Sequence, residues 1–133
     1  MAQPTRRYFT TLTALVRKAL YKVSFHRLHF NPDRVIWEAH ASFEGFDIRL
    51  KEIFNQSGRM YSYYVIEEDR VVVGFDNYPD RRALRQKYGR SFTTCLSELI
   101  PHKHGAHKAT LELTSEMSVE GFLDYLREKV IGN

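Results

Sequence analysis

The chain has 133 residues, of which 43% are apolar and 14% aromatic, and a formal net charge of +4. This length allows one domain with a substantial core but not two ordinary domains, and the apolar content excludes general disorder. The single cysteine, Cys95, excludes a disulfide framework within the chain and indicates a reducing cytoplasm. No apolar run approaches the roughly 18 residues that a membrane span needs, so we expect a cytoplasmic protein without a membrane partner.

The first predicted element is an amphipathic helix over about residues 8–23. Apolar residues recur at three- and four-residue spacing from Phe9 to Val23, which places them on one helix face. Basic residues occupy the other side, and no acidic residue precedes Asp33. This basic side is either a solvated face or a surface for RNA or an acidic partner protein.

A sheet is predicted over about residues 35–77. Apolar and polar residues alternate on both sides of the Glu44-Gly45 turn, which is typical of a hairpin. Two further segments are rich in strand-favouring residues, and the connections are only a few residues long. These features favour a four-stranded antiparallel meander. The predicted strand segments are 35–43, 46–50, 60–66 and 71–75.

The remaining chain is predicted to form a basic helix and His-rich loop over about 80–107, followed by a last strand and C-terminal helix over about 109–131. Gly89 is expected to end the basic helix, a short helix is considered at 94–99, and Ser118 is expected to cap the last helix. The prediction is therefore one α+β domain over residues 1–133. It has an antiparallel meander of four to five strands, an N-terminal amphipathic helix and a C-terminal helix packed on the sheet.

The candidate chemistry lies in Pro101-His102-Lys103-His104-Gly105-Ala106-His107. In an extended segment, His102 and His104 point to the same side and Lys103 to the other. Such a histidine pair can act as general base and acid, and His107 would add a third ligand for zinc or a similar metal. Histidine-rich loops are also often exposed and without a role, so both alternatives stay open.

Asp76 follows a predicted buried strand, where its carboxylate can orient an imidazole. A carboxylate, histidines and cations are the parts needed to cleave RNA through its own 2′-hydroxyl, a route that requires no metal or other cofactor. Asp76 can also be an ordinary strand terminator, and the arginines can simply cover a helix. The candidate phosphate-binding residues are Arg81, Arg82, Arg85 and Lys103.

The order of several motifs resembles the TumE family, the toxin-like component of prokaryotic type II toxin–antitoxin pairs. The similarity covers roughly residues 37–126. It rests on Tyr61-Ser62-Tyr63-Tyr64, Val71-Val72-Val73-Gly74-Phe75-Asp76-Asn77, Pro101-His102-Lys103-His104 and Val119-Glu120-Gly121-Phe122-Leu123. The resemblance implies a cognate antitoxin encoded nearby.

One departure from the family pattern concerns the residues after Asp76-Asn77. The family places a histidine pair there, whereas this chain has Tyr78-Pro79-Asp80-Arg81-Arg82. Either the site has been rebuilt with arginines, or these residues serve the fold or a partner. The two resulting hypotheses are a toxin-like protein that cleaves RNA, with His102, His104 and Asp76 as catalytic residues, and a non-catalytic basic module that binds nucleic acid or an acidic protein.

Overall fold

The computed structural model describes residues 6–130, which form three α-helices and seven β-strands. The helices are α1 (Arg6–Ala19), α2 (Arg81–Tyr88) and α3 (Val119–Tyr125), and α3 continues as π-helical turns over Leu126–Val130. The strands are β1 (Tyr21–Phe30), β2 (Val35–Phe43), β3 (Phe46–Asn55), β4 (Gly58–Glu67), β5 (Arg70–Asp76), β6 (His102–His104) and β7 (Leu111–Leu113).

The strands form one antiparallel sheet in the chain order β1 to β7. Two of its hairpins use two-residue turns, Glu44-Gly45 and Glu68-Asp69, with positive φ at both positions. Turns of this kind match the natural twist of paired strands. The predicted α+β class, the antiparallel meander and both terminal helices are confirmed, and the sheet contains two strands more than the five expected at most.

The first additional strand, β1, begins inside the segment predicted as helix. Helix α1 ends at Ala19, and the amide of Leu20 still bonds to the Val16 carbonyl at 2.9 Å. The prediction that this helix continues to residue 23 was wrong. Val23 lies seven residues after Val16, which fits a helix, and two residues before Phe25, which fits a strand. The segment Tyr21–Phe30 pairs with β2 and therefore forms the strand, with an irregularity between Tyr21 and Ser24.

The second additional strand, β6, lies within the segment predicted as a His-rich loop. Its three residues pair with β5 on one side and β7 on the other. The helical turn before it also differs from the expectation, because it is a 3₁₀ segment at Gly89–Thr94 and not a helix at 94–99. The predicted basic helix is confirmed as α2, with Asp80 capping its start and Gly89 at its end.

The main core covers one face of the sheet. Trp37 and Tyr63 are fully buried there, and α1 and α3 supply Phe9 and Phe122. Burial of side chains of this size contributes roughly 1.5–3 kcal/mol each. Both terminal helices therefore pack on the same face of the sheet.

The opposite face carries a small apolar cluster where α2 packs near β7. Ala83 and Leu84 of this helix contact Phe92 and Ile100, with Leu111 packed against them. Polar side chains cluster on the same face over β3 to β6, where Lys51, Ser62, Asp76 and His102 occupy neighbouring strands. Helix α2 thus forms a wall beside an open polar surface. Across residues 6–130, none of the helices combines the length and apolarity needed to cross a bilayer.

Candidate active site

The register of β5 and β6 brings Asp76, His102 and His104 together. Asp76 lies opposite His102, and Gly74 lies opposite His104. Because residues two apart on a strand share a face, all three side chains point to the polar face of the sheet. They are 5%, 1% and 4% exposed, respectively, so the cluster is buried.

The polar atoms of these three residues converge at one point. His102 Nε2 lies 3.1 Å from Asp76 Oδ1 and 3.1 Å from His104 Nε2. His104 Nε2 lies 3.3 Å from Asp76 Oδ2. The three side chains thus offer two imidazole nitrogens and a carboxylate within 4.8 Å of one another, a donor set able to hold a metal ion.

Neighbouring groups fix the orientation of the cluster. The Tyr64 hydroxyl donates to Asp76 Oδ2 at 2.5 Å, and the amide of Tyr78 donates to Asp76 Oδ1 at 3.0 Å. His102 Nδ1 donates to the Ile100 carbonyl at 2.6 Å. Tyr64 reaches Asp76 because its ring lies over Gly74, where an added Cβ would sit 2.0 Å from the Tyr64 Cε1 atom.

Burial and hydrogen bonding displace the pKa values of the cluster. Burial alone would raise the pKa of Asp76, but hydrogen bonds from His102 and Tyr64 outweigh it and lower that pKa. Burial opposes the charged form of His102, yet the Asp76 carboxylate raises the pKa of His102 above its usual value. Burial lowers the pKa of His104. The pKa values of the two histidines are therefore shifted in opposite directions, although their rings are in contact.

The cluster forms part of the floor of a cavity of about 420 Å³. Lys51, Arg82 and Lys108 line it and supply positive charge. Arg82 donates to the Lys108 carbonyl at 3.3 Å, and the Lys108 ammonium lies 5.0 Å from the centre of the Tyr64 ring. Asp80, which caps α2, has a carboxylate oxygen 4.0 Å from His102 Nε2. The cavity thus combines a buried cluster of titratable side chains with an open cationic wall.

The predicted phosphate-binding residues do not all reach this cavity. Arg82 lines it, whereas the guanidinium groups of Arg81 and Arg85 lie over the Phe92 ring. The ammonium of Lys103 lies 5.9 Å from the Phe75 ring centre, on the core face of the sheet. Of the four cations, the structure brings only Arg82 to the histidine pair.

The proposed third ligand, His107, also lies elsewhere. It is exposed and belongs to the 3₁₀ segment Ala106–Lys108. It lines a separate cavity beside the β4–β5 turn. Asp76 takes its place in the cluster of possible ligands.

Several cavity residues escaped the sequence analysis, among them Lys51, Lys108 and Asp80. Lys51 lies on the row that pairs with Ser62 and then Asp76, so strand alternation and register together identify it. The alternation of Tyr64 with the core residue Tyr63 along β4 was the signal that its side chain lies on the polar face. Asn77 has a structural role instead. The backbone N–H of Tyr61 donates to Asn77 Oδ1, and Asn77 Nδ2 donates to the Arg59 carbonyl, which ties the end of β5 to β4.

Comparisons of this chain with models of protein families, with curated proteins and with solved structures found no match.

Proposed function

We propose that this chain is the toxin-like component of a type II toxin–antitoxin system and that it cleaves RNA. The observation that carries the proposal is the buried cluster of Asp76, His102 and His104 on the floor of a cavity with a cationic wall. Buried titratable groups that converge in an open cavity are typical of reaction centres. The cognate antitoxin is the expected protein partner.

The chemistry of the cavity fits a phosphodiester. Lys51, Arg82 and Lys108 offer positive charge to phosphate oxygens, and the volume of about 420 Å³ lies in the range of small-ligand sites. In RNA cleavage by transesterification, the 2′-oxygen forms a bond to phosphorus while the bond to the 5′-oxygen breaks. A proton leaves the former oxygen and another reaches the latter.

Two chemical routes use the same three side chains. In the route expected from sequence, His102 and His104 exchange these protons directly and Asp76 orients them, without a metal. In the other, Asp76, His102 and His104 would hold a metal ion, which would supply Lewis-acid chemistry to the phosphate. A chelator separates the routes, because it stops only the second.

The decisive experiment compares wild-type protein with the His102→Ala/His104→Ala variant and with the matched variant His107→Ala. Each is expressed under tight control in a bacterial host, and growth and cellular RNA integrity are followed. We expect growth arrest with RNA decay from wild type and His107→Ala, and neither effect from the double variant. The purified proteins are then incubated with RNA, with and without a chelator, and cleavage of the RNA is measured.

The competing function is a non-catalytic basic binding module. It is favoured by the exposed cations that point away from the cavity, Arg81 and Arg85 on α2 and Arg17 and Lys18 on α1. Equal growth arrest by wild type and the double variant, with RNA intact, would support this module and refute the catalytic proposal. Absence of arrest from folded wild-type protein would refute the toxin assignment.

A further inference from the structure

We infer that Asp76, His102 and His104 form a binding site for one divalent transition-metal ion of the Zn²⁺ type, with both histidines binding through Nε2. The inference concerns the same cavity as the proposed function, but it rests on the geometry of the three side chains and does not require RNA as substrate. Its first support is the spacing of the donor atoms.

The distances between the donor atoms match those imposed by a single ion. With metal–ligand bonds of about 2.0–2.1 Å, neighbouring ligand atoms lie about 3.3–3.4 Å apart in a tetrahedron and about 2.9 Å apart in an octahedron. The two nitrogens are 3.1 Å apart, His102 Nε2 lies 3.1 Å from Asp76 Oδ1, and His104 Nε2 lies 3.3 Å from Asp76 Oδ2. All three distances fall within this interval, and because the two carboxylate contacts involve different oxygens, Asp76 would meet an ion with one oxygen or with both.

Hydrogen atoms satisfy the cluster less well than a cation would. Because His102 Nδ1 donates to the Ile100 carbonyl, the neutral His102 ring presents a lone pair at Nε2. That lone pair faces an Asp76 oxygen and His104 Nε2 at the same time. Protons on both Nε2 atoms would serve the two contacts to Asp76 but would leave two N–H groups facing each other across 3.1 Å, whereas an ion at the centre binds all three groups.

The surroundings supply outer contacts typical of a metal site to His102 and Asp76, whereas the buried Nδ1 of His104 has no hydrogen-bond partner among the described residues. Ligating histidines usually donate their second nitrogen to a carbonyl or carboxylate, as His102 does to Ile100. Ligating carboxylates are usually held by further donors, here the Tyr64 hydroxyl and the Tyr78 amide. These contacts hold His102 and Asp76 in place before an ion arrives.

The donor set also indicates the class of ion. Two imidazole nitrogens and one carboxylate suit Zn²⁺ and neighbouring transition metals, whereas Mg²⁺ and Ca²⁺ prefer oxygen ligands. The protein provides three ligands, and the cavity leaves the remaining positions open to water or substrate. Three protein ligands with an open position are typical of catalytic rather than structural zinc sites.

Metal binding is tested on purified full-length chain without a histidine tag, after removal of metals with a chelator. Zn²⁺ affinity is measured by competition with a chromophoric chelator, and Co²⁺ is added separately to record its visible absorption. We expect one Zn²⁺ per chain in the wild type. His104→Ala and His102→Ala should each weaken binding by more than about 100-fold, since even outer contacts of metal ligands contribute about 10–100-fold.

Two further variants sharpen the test. Tyr64→Phe keeps all three ligands and should weaken Zn²⁺ binding by roughly 10-fold, because Asp76 loses one of its orienting contacts. His107→Ala should change the affinity less than twofold and leave the Co²⁺ spectrum unaltered. Circular dichroism of each metal-free variant establishes whether it folds. If His102→Ala fails to fold, His104→Ala and Tyr64→Phe still test the metal site.

The inference is overturned if wild-type chain binds no stoichiometric Zn²⁺ at micromolar concentration, or if folded His104→Ala binds it as well as wild type. Site-specific Zn²⁺ binding without RNA cleavage would support the inference and contradict the proposed function. RNA cleavage by metal-free protein in excess chelator, together with no Zn²⁺ binding, would overturn the inference and leave the proposed function intact.

Discussion

The buried ion pair between Glu52 and Arg59 is predicted to stabilise the fold. Glu52 is fully buried on the core face and accepts hydrogen bonds from Tyr8 of α1 at 2.6 Å and from Tyr63. Arg59 donates to it at 3.2 Å and also to the Met117 carbonyl, before α3, at 2.7 Å. One ion pair therefore joins the first helix, the sheet and the approach to the last helix.

Replacing Arg59 with methionine leaves the Glu52 charge buried without its counter-ion. Breaking a buried pair in this way costs about 3 kcal/mol, and losing the bond to the Met117 carbonyl costs about 1 kcal/mol more. The expected loss of about 4 kcal/mol corresponds to a fall of roughly 2 M in the urea midpoint, for a dependence of about 2 kcal/mol per molar urea. Equilibrium urea unfolding measures it.

Two variants control this measurement. Arg49→Met removes an exposed arginine from the polar face and should change the free energy of unfolding by less than about 0.5 kcal/mol. In the double variant Glu52→Gln/Arg59→Met the stranded charge is gone, so it should be more stable than Arg59→Met alone by more than about 1 kcal/mol. The reasoning is refuted if Arg59→Met costs less than about 1 kcal/mol, or if the two substitutions are simply additive.

Two further predictions concern tyrosines. Gly74→Ala should lower the free energy of unfolding, measured with urea, by about 1–3 kcal/mol because the new methyl group meets the Tyr64 ring. In a Tyr64→Ala background the same substitution should lower it clearly less. Equal losses in the two backgrounds would contradict the contact. Burial and the Glu52 charge raise the pKa of Tyr8 and of Tyr63 above the value of about 10 expected in the unfolded chain. Their contribution to stability is therefore complete below about pH 10 and is lost as the pH rises further. Tyr8→Phe should flatten this alkaline decline, and an unchanged slope would show that Tyr8 does not cause it.

The sequence predicted that the two histidines share one side of an extended segment, but not that this segment is a strand of the sheet or which residues surround it. Alternation along a strand is local, so it correctly placed His102 and His104 on one side. The same rule sends Lys103 to the opposite face, where its ammonium meets Phe75. The prediction that Lys103 binds phosphate beside the histidines conflicts with this alternation, which separates its ammonium from the histidine pair.

Helical geometry explains why the arginines separate. Arg81 and Arg85 are four residues apart and share one side of α2, over Phe92, while Arg82 is turned by about 100° towards the cavity. Lys51 can be assigned to the cavity only when the pairing of β3, β4 and β5 is known. Lys108 can be assigned to it only when the position of the turn after β6 is known. These relations are set by long-range packing, so periodicity within one segment does not reveal them.

The two buried carboxylates on the sheet, Glu52 and Asp76, differ in a way that separates structure from chemistry. Around Glu52, two hydroxyls and a guanidinium donate to the carboxylate, and the group faces the closed core. Asp76 faces a cavity, and its histidine partners have donor atoms that face one another as well as the carboxylate. The hydrogen bonds of Glu52 are complete within the core, and no ligand can reach it there. Asp76 shares its contacts with two imidazoles at an open cavity, where a proton, an ion or a substrate can replace them. This difference supports the proposal that Asp76 belongs to a functional site, whereas Glu52 stabilises the fold.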